Sequence, residues 1–118
     1  MMDNNFTEKY VTVTGFYHYY GREVFKLGRN FTCVKEPENH YDDEAIRVED
    51  EAFGTVGYIA NSTQTRAIGT YSAGKIGSKV KKKFTVQVMF VTSSKIICKV
   101  VDGFKKKEKE DMPDTNGE

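Results

Sequence analysis

The chain has 118 residues, 38% of them hydrophobic and 30% charged, the size and composition of a single soluble globular domain. Its apolar runs span only a few residues, against the roughly 20 that a membrane helix needs, and residues 1–10 lack the basic start and apolar stretch of a secretory signal. The net charge of +1 conceals an asymmetry: residues 1–65 hold 6 Lys/Arg against 11 Asp/Glu, whereas residues 66–104 hold 8 against 1, so a polyanion partner is not excluded.

Period-two alternation dominates the chain in order. Residues 9–20 read as a long, curved strand with Val11, Val13, Gly15, Tyr17 and Tyr19 on one side. Gly15 marks a bulge or bend within it. Residues 24–27 and 30–36 read as strands split by Gly28-Arg29, and Pro37 ends the second because it has no N–H to donate. A loop dense in turn formers follows, over residues 37–43. Strands at 44–49 and 55–60 come next.

A helix is expected from a cap at Asn61 or Ser62, with Ala67, Ile68 and Tyr71 on its buried face and Gly74 or Gly77 at its end. Residues 84–92 alternate with Phe84, Val86, Val88 and Phe90 inward, and a Ser93-Ser94 step leads to a strand at 95–101, forming a hairpin. Six or seven strands with one helix predict a mainly β fold, a small closed or partly closed barrel, which leaves few exposed edges. The polar stretch 105–118 reads as a disordered charged tail, leaving a domain over residues 8–104.

Little in the chain suggests catalysis. Cys33, Cys98, His18 and His40 have no metal-ligand spacing, so no metal or other cofactor is expected. The cysteines sit in apolar strand contexts and read as small buried side chains in a reducing cytoplasm. No G-x-S-x-G elbow or P-loop is present. The run Asp42, Asp43, Glu44 could hold a hard cation for metal-dependent hydrolysis, or simply cap a solvated turn.

The run Phe16-Tyr17-His18-Tyr19-Tyr20 is more informative. Alternation sends about half of five consecutive rings to each face of a strand. The cluster is therefore either a surface on which nucleobases stack or a barrel wall buried on both sides. Lys81, Lys82 and Lys83, ahead of the final hairpin, are candidate phosphate contacts or a solvated strand entrance.

Three stretches together resemble the HIRAN domain family. They are Gly15 with Tyr17, His18 and Tyr19; the run Glu36-Pro37-Glu38-Asn39-His40-Tyr41-Asp42-Asp43-Glu44-Ala45-Ile46-Arg47-Val48; and Val56-Gly57-Tyr58-Ile59. The family pattern E-P-x-N-P-Y-D-x-x-A-I-x-V, followed by G-x-x-V-G-Y, is nearly complete here, with His40 in place of the usual proline. The resemblance covers about residues 9–72 and implies a modified OB-like barrel without catalytic activity that binds single-stranded DNA by its free 3′-hydroxyl end. Such domains occur on helicase-like DNA-repair ATPases and as small stand-alone bacterial or phage proteins, which implies a separate repair or helicase protein as partner.

By position, the resemblance makes Asp42 the acceptor of the hydroxyl and packs Tyr41 on the terminal sugar or base. Asn39 shapes the loop, Tyr58 lines the pocket, and Tyr17, His18 and Tyr19 share stacking and phosphate contact. The competing reading is an interaction domain that docks another protein without binding DNA.

Overall fold

Alternating apolar side chains build the wall of a barrel in the computed structural model, which describes residues 8–106. Six strands contribute: β1 (Tyr10–Thr14), β2 (Asn30–Lys35), β3 (Ile46–Asp50), β4 (Gly54–Ile59), β5 (Val80–Val91) and β6 (Ile96–Phe104). All pair antiparallel in the order β1-β4-β3-β2-β5-β6, and β1 also pairs with β6, closing the sheet. Closure leaves no strand at an open edge of the sheet. The fold is the small, mainly β barrel expected.

Val11 and Val13, Ile46 and Val48, Val86 and Val88, and Cys98 and Val100 follow the two-residue period into the core. Cys33 and Cys98 are both free and buried. Burial pushes the Cys98 thiol up to about 12 and also raises that of Cys33, so both stay protonated at neutral pH. Among the described residues no helix is long and apolar enough to cross a membrane.

Five expectations are corrected. The first concerns residues 9–20, where the strand stops at Thr14 rather than running on. Gly15, at φ 74°, takes the left-handed conformation that glycine adopts without strain, and turns the chain into a 3-10 turn at Phe16–His18. Of the five successive aromatic residues only Phe16 is buried; the rest are exposed.

Residues 24–27 form no strand. A 3-10 turn at Arg22–Val24 precedes a loop from which Phe25 enters the core, its ring 4.9 Å from that of Phe31 and 5.9 Å from that of Phe16. Phe25 fills the core and Val24 packs against it, whereas Leu27 is exposed, so the segment does not extend the barrel wall.

Residues 61–71 do not make the expected helix. The hydroxyls of the buried pair Thr12 and Thr70 lie 2.9 Å apart, and Thr12 Oγ1 accepts from the Ala67 N–H at 3.1 Å. These tertiary hydrogen bonds outcompete the weak helix propensity of Thr63, Thr65 and Gly69. Ile68, expected on the buried face, is fully exposed, while Ala67 and Tyr71 are half-buried. The helix that does form, α1 (Ala73–Gly77), starts eleven residues beyond Ser62 and ends at Gly77 as expected. Ser72 caps it, its side chain accepting from the Lys75 N–H at 3.2 Å, and Ala73 and Ile76 are buried.

Phe90 is 54% exposed rather than inward. The register of β5 against β6 shifts between Val88 and Phe90, and one extra residue reverses the alternation. A longer β5 also places Lys81, Lys82 and Lys83 within the strand rather than ahead of it, all three exposed. The expected tail from residue 107 onward lies outside the described residues.

Candidate nucleic-acid interface

The loop between β2 and β3 is fixed by its own side chains. The Asn39 carboxamide oxygen accepts from the N–H of Tyr41 at 2.8 Å and of Asp42 at 3.1 Å. Asp42 Oδ1 then accepts from the Glu44 N–H at 2.9 Å, and the Ala45 N–H donates to the Asp42 carbonyl at 3.0 Å. Two successive side-chain turns of this kind hold the backbone where the family's proline is replaced by His40.

Glu36, at the end of β2, joins this loop to the sheet. Its carboxylate accepts from Asn39 Nδ2 at 2.9 Å, from the Tyr58 hydroxyl at 3.1 and 3.2 Å, and from Arg47 at 3.2 Å. The Glu36 side chain is only 15% exposed. Burial alone would raise its carboxyl pKa, but the hydrogen bonds from Asn39, Arg47 and Tyr58 outweigh burial and hold it below the ordinary value. Burial, then the hydrogen bond to Glu36, pushes the Tyr58 phenol up to about 12. Arg47 also donates to Glu49 at 2.5 Å, which keeps the guanidinium firmly charged.

The aromatic run reaches the same network through Tyr19, whose ring centroid lies 6.5 Å from that of Tyr58. Gly57 makes this approach possible. A Cβ there would sit 2.9 Å from Val13 Cγ1 and 3.1 Å from the Thr14 carbonyl oxygen, so only glycine lets the end of β1 lie against β4. Gly57→Ala is expected to push β1 and the following turn outward, with a loss of about 1–3 kcal/mol read by thermal or urea denaturation.

Tyr19, Tyr58, Glu36, Asn39 and Asp42 thus form one continuous chain of contacts. On the far side of the loop, Asn61 Nδ2 lies 3.0 Å from Glu44 Oε1 and 3.5 Å from Asp42 Oδ2, while its carboxamide oxygen accepts from the Gly74 N–H at 2.9 Å. Among the described residues, no cation pairs with Asp42. A hollow of about 180 Å³ lies on that flank, lined in part by Lys35, Asp43, Glu44 and Gly74; neither Asp42 nor the aromatic rings form its walls.

The remaining candidates lie further out. Tyr17 is 70% exposed and packs on Phe16 at 4.6 Å, His18 is exposed, and Tyr41 is 98% exposed. Across the sheet, one row of paired residues reads Thr14, Tyr58, Arg47, Val34 and Lys83. Lys83 therefore stands three strands from Tyr58, about 14 Å at the usual strand spacing. Lys81 and Lys82 precede it on β5. Asp42, Asp43 and Glu44 do not converge: among the described residues no group of three or more His, Cys, Asp or Glu side chains could hold a metal ion.

Glu36 and Arg47 stand in the motif run without an expected role, and Asn61 is expected as a helix cap rather than as a partner of this loop. The signal for Glu36 was its place just before Pro37, where a strand ends and its last side chain can turn toward the loop. Nothing local pointed to Asn61, whose partners are 13 to 19 positions away.

The two pH-sensitive groups of the network act at opposite ends of the scale. The Glu36 pKa is lowered on folding, so its stabilisation is present above the ordinary value of 4.5 and disappears as pH falls through the folded-state value. The Tyr58 pKa is raised, so its stabilisation is complete below 10.0 and disappears as pH rises toward about 12. Melting temperature followed against pH is expected to lose its acid limb selectively in Glu36→Gln and part of its alkaline limb in Tyr58→Phe.

The described residues thus form a small closed barrel with exposed rings at Tyr17, Tyr19 and Tyr20 and, on the loop after β2, an Asp42 carboxylate with no cation beside it. The model of the HIRAN domain family matches residues 7–76, more than half of the chain and the stretch that contains β1–β4 and most of α1. No curated protein and no solved structure matches the chain. The chain belongs to the HIRAN domain family, a family of non-catalytic modules known for binding DNA ends.

Proposed function

We propose that the domain, residues 8–104, holds the free 3′-hydroxyl end of single-stranded DNA. The observation that carries this reading is the contact chain from the exposed Tyr19 through the half-buried Tyr58, Glu36 and Asn39 to the Asp42 N–H, which joins the rings to the loop that carries the Asp42 carboxylate. Rings of Tyr19 and Tyr58 stack the last bases, a contact worth about 1–3 kcal/mol per base. Asp42 accepts the hydrogen bond of the terminal hydroxyl, with Tyr41 closing over the sugar. Tyr17 and His18 flank the stack, and Lys83, with Lys81 and Lys82, draws the upstream phosphates across β5.

The end is read by charge. A carboxylate without a cation beside it accepts from a neutral hydroxyl and repels a phosphate, so a strand that continues past the site or ends in a 3′-phosphate is rejected. In cells the strand end would be presented by a separate repair or helicase protein.

Fluorescence anisotropy with matched oligonucleotides tests the reading. The 3′-hydroxyl form is expected to bind about tenfold more tightly than the 3′-phosphate form. Equal affinity for the two ends would remove the mechanism.

A further inference from the structure

The ring pair formed by Tyr20 and Phe53 follows the proposed stack along the chain, Tyr20 being the residue after Tyr19, and has no place in it. Tyr20 is 54% exposed and Phe53 46% exposed, with ring centroids 4.7 Å apart and planes inclined by 34°. Phe53 sits on the turn between β3 and β4, where a solvent-facing aromatic needs an explanation. The turn is rigidly held. Asp50, 7% exposed, accepts from the Ala52 N–H at 2.8 Å and the Phe53 N–H at 3.0 Å, and forms an ion pair with Arg29. Arg29 in turn lies over the Phe31 ring at 4.9 Å and donates to the Val24 carbonyl. A buried carboxylate thus fixes an exposed ring.

We infer that Tyr20 and Phe53 form a second stacking shelf, which takes a nucleobase of the same DNA strand a few nucleotides upstream of its 3′ end. The inference rests on the reading that this face binds single-stranded DNA. Three observations and a general property of such barrels support a base as the occupant. Tyr20 follows Tyr19 directly, so both ring pairs hang from one backbone segment. Phe53 and Tyr58 belong to one hairpin and are separated by at most about 17 Å, the span of five extended residues. An OB-like barrel typically covers about 4–16 nucleotides, more than the terminal pair at Tyr19 and Tyr58 can hold. Exposed Glu51, two residues before Phe53, disfavours phosphate there, so the contact is through the flat face of a base.

Two oligonucleotides with free 3′-hydroxyls, a trithymidylate and a dodecathymidylate, test the shelf. Phe53→Ala is expected to weaken the longer ligand about tenfold, to leave the shorter one unchanged, and to leave the salt dependence of binding unchanged because no phosphate contact is lost. The chain has no tryptophan, so Phe53→Trp supplies a single reporter whose emission should fall with the longer ligand only.

If wild type distinguishes hydroxyl from phosphate ends but Phe53→Ala binds the dodecamer like wild type and Phe53→Trp is silent, the shelf is overturned and the end-reading function stands. If Phe53→Ala shows the loss while wild type ignores the end group, the shelf stands and the end reading fails. Absence of any binding by wild type overturns both. Concentration-dependent self-association that Phe53→Ala abolishes, with DNA affinity unaffected, would assign the pair to contact between copies and overturn the inference.

Discussion

Glu36→Ala is expected to destabilise the domain by about 2–3 kcal/mol and to abolish tight binding of 3′-hydroxyl DNA. The magnitude follows from what the substitution strands. Tyr58, Asn39 and Arg47 all donate to this one carboxylate, which is 15% exposed. Each half-buried donor left without an acceptor costs part of the penalty for an unsatisfied group. Arg47 keeps Glu49, so the loss is smaller than for a fully orphaned charge. Binding suffers because the Asn39 side chain, freed from Glu36, no longer fixes the turn that aims Asp42.

Glu36→Gln separates these effects. Its carbonyl oxygen can still accept from Tyr58, but its amide meets Arg47 or Asn39 as a second donor. About half the stability loss and an intermediate affinity are expected, measured by urea denaturation and anisotropy. An alanine variant that binds DNA as wild type does would show that the loop positions Asp42 without help from the sheet.

The barrel was legible because its determinants are local. Alternation in residues such as Val86 and Val88 or Ile46 and Val48 records burial on one face, and Pro37 records a strand end. The failures share a cause. The segment 61–71 takes its shape from Thr12, more than fifty positions away, which no window over that segment contains. Phe25 and Phe90 show that an apolar residue can plug the core from a loop or be turned outward by a single register shift. The motif run 36–48 disclosed the loop and its carboxylate, since those contacts span at most a dozen residues. The meeting of Tyr19 with Tyr58 depends on barrel closure and on the lack of a side chain at Gly57, against which the end of β1 packs, and neither is visible in the composition of either strand.

Asp42→Asn is expected to collapse the preference for a hydroxyl end to about unity. Affinity for the 3′-hydroxyl ligand should fall about tenfold, the scale for exchanging a charged acceptor for a neutral one, while affinity for the 3′-phosphate ligand should rise because the repulsion is gone. The asparagine retains a carbonyl oxygen that can accept from the Glu44 N–H, as Asp42 Oδ1 does at 2.9 Å, so the loop should persist and the melting temperature should change little. Asp42→Ala removes that acceptor as well, and should lose both loop order and hydroxyl affinity. The contrast separates charge from shape. If the hydroxyl ligand weakens in both variants but the phosphate ligand never strengthens, Asp42 holds the loop and does not read the end. If the phosphate ligand gains in both, electrostatic rejection by this carboxylate is the selective step, and its strength should decline as added salt screens a charge that is only half-buried.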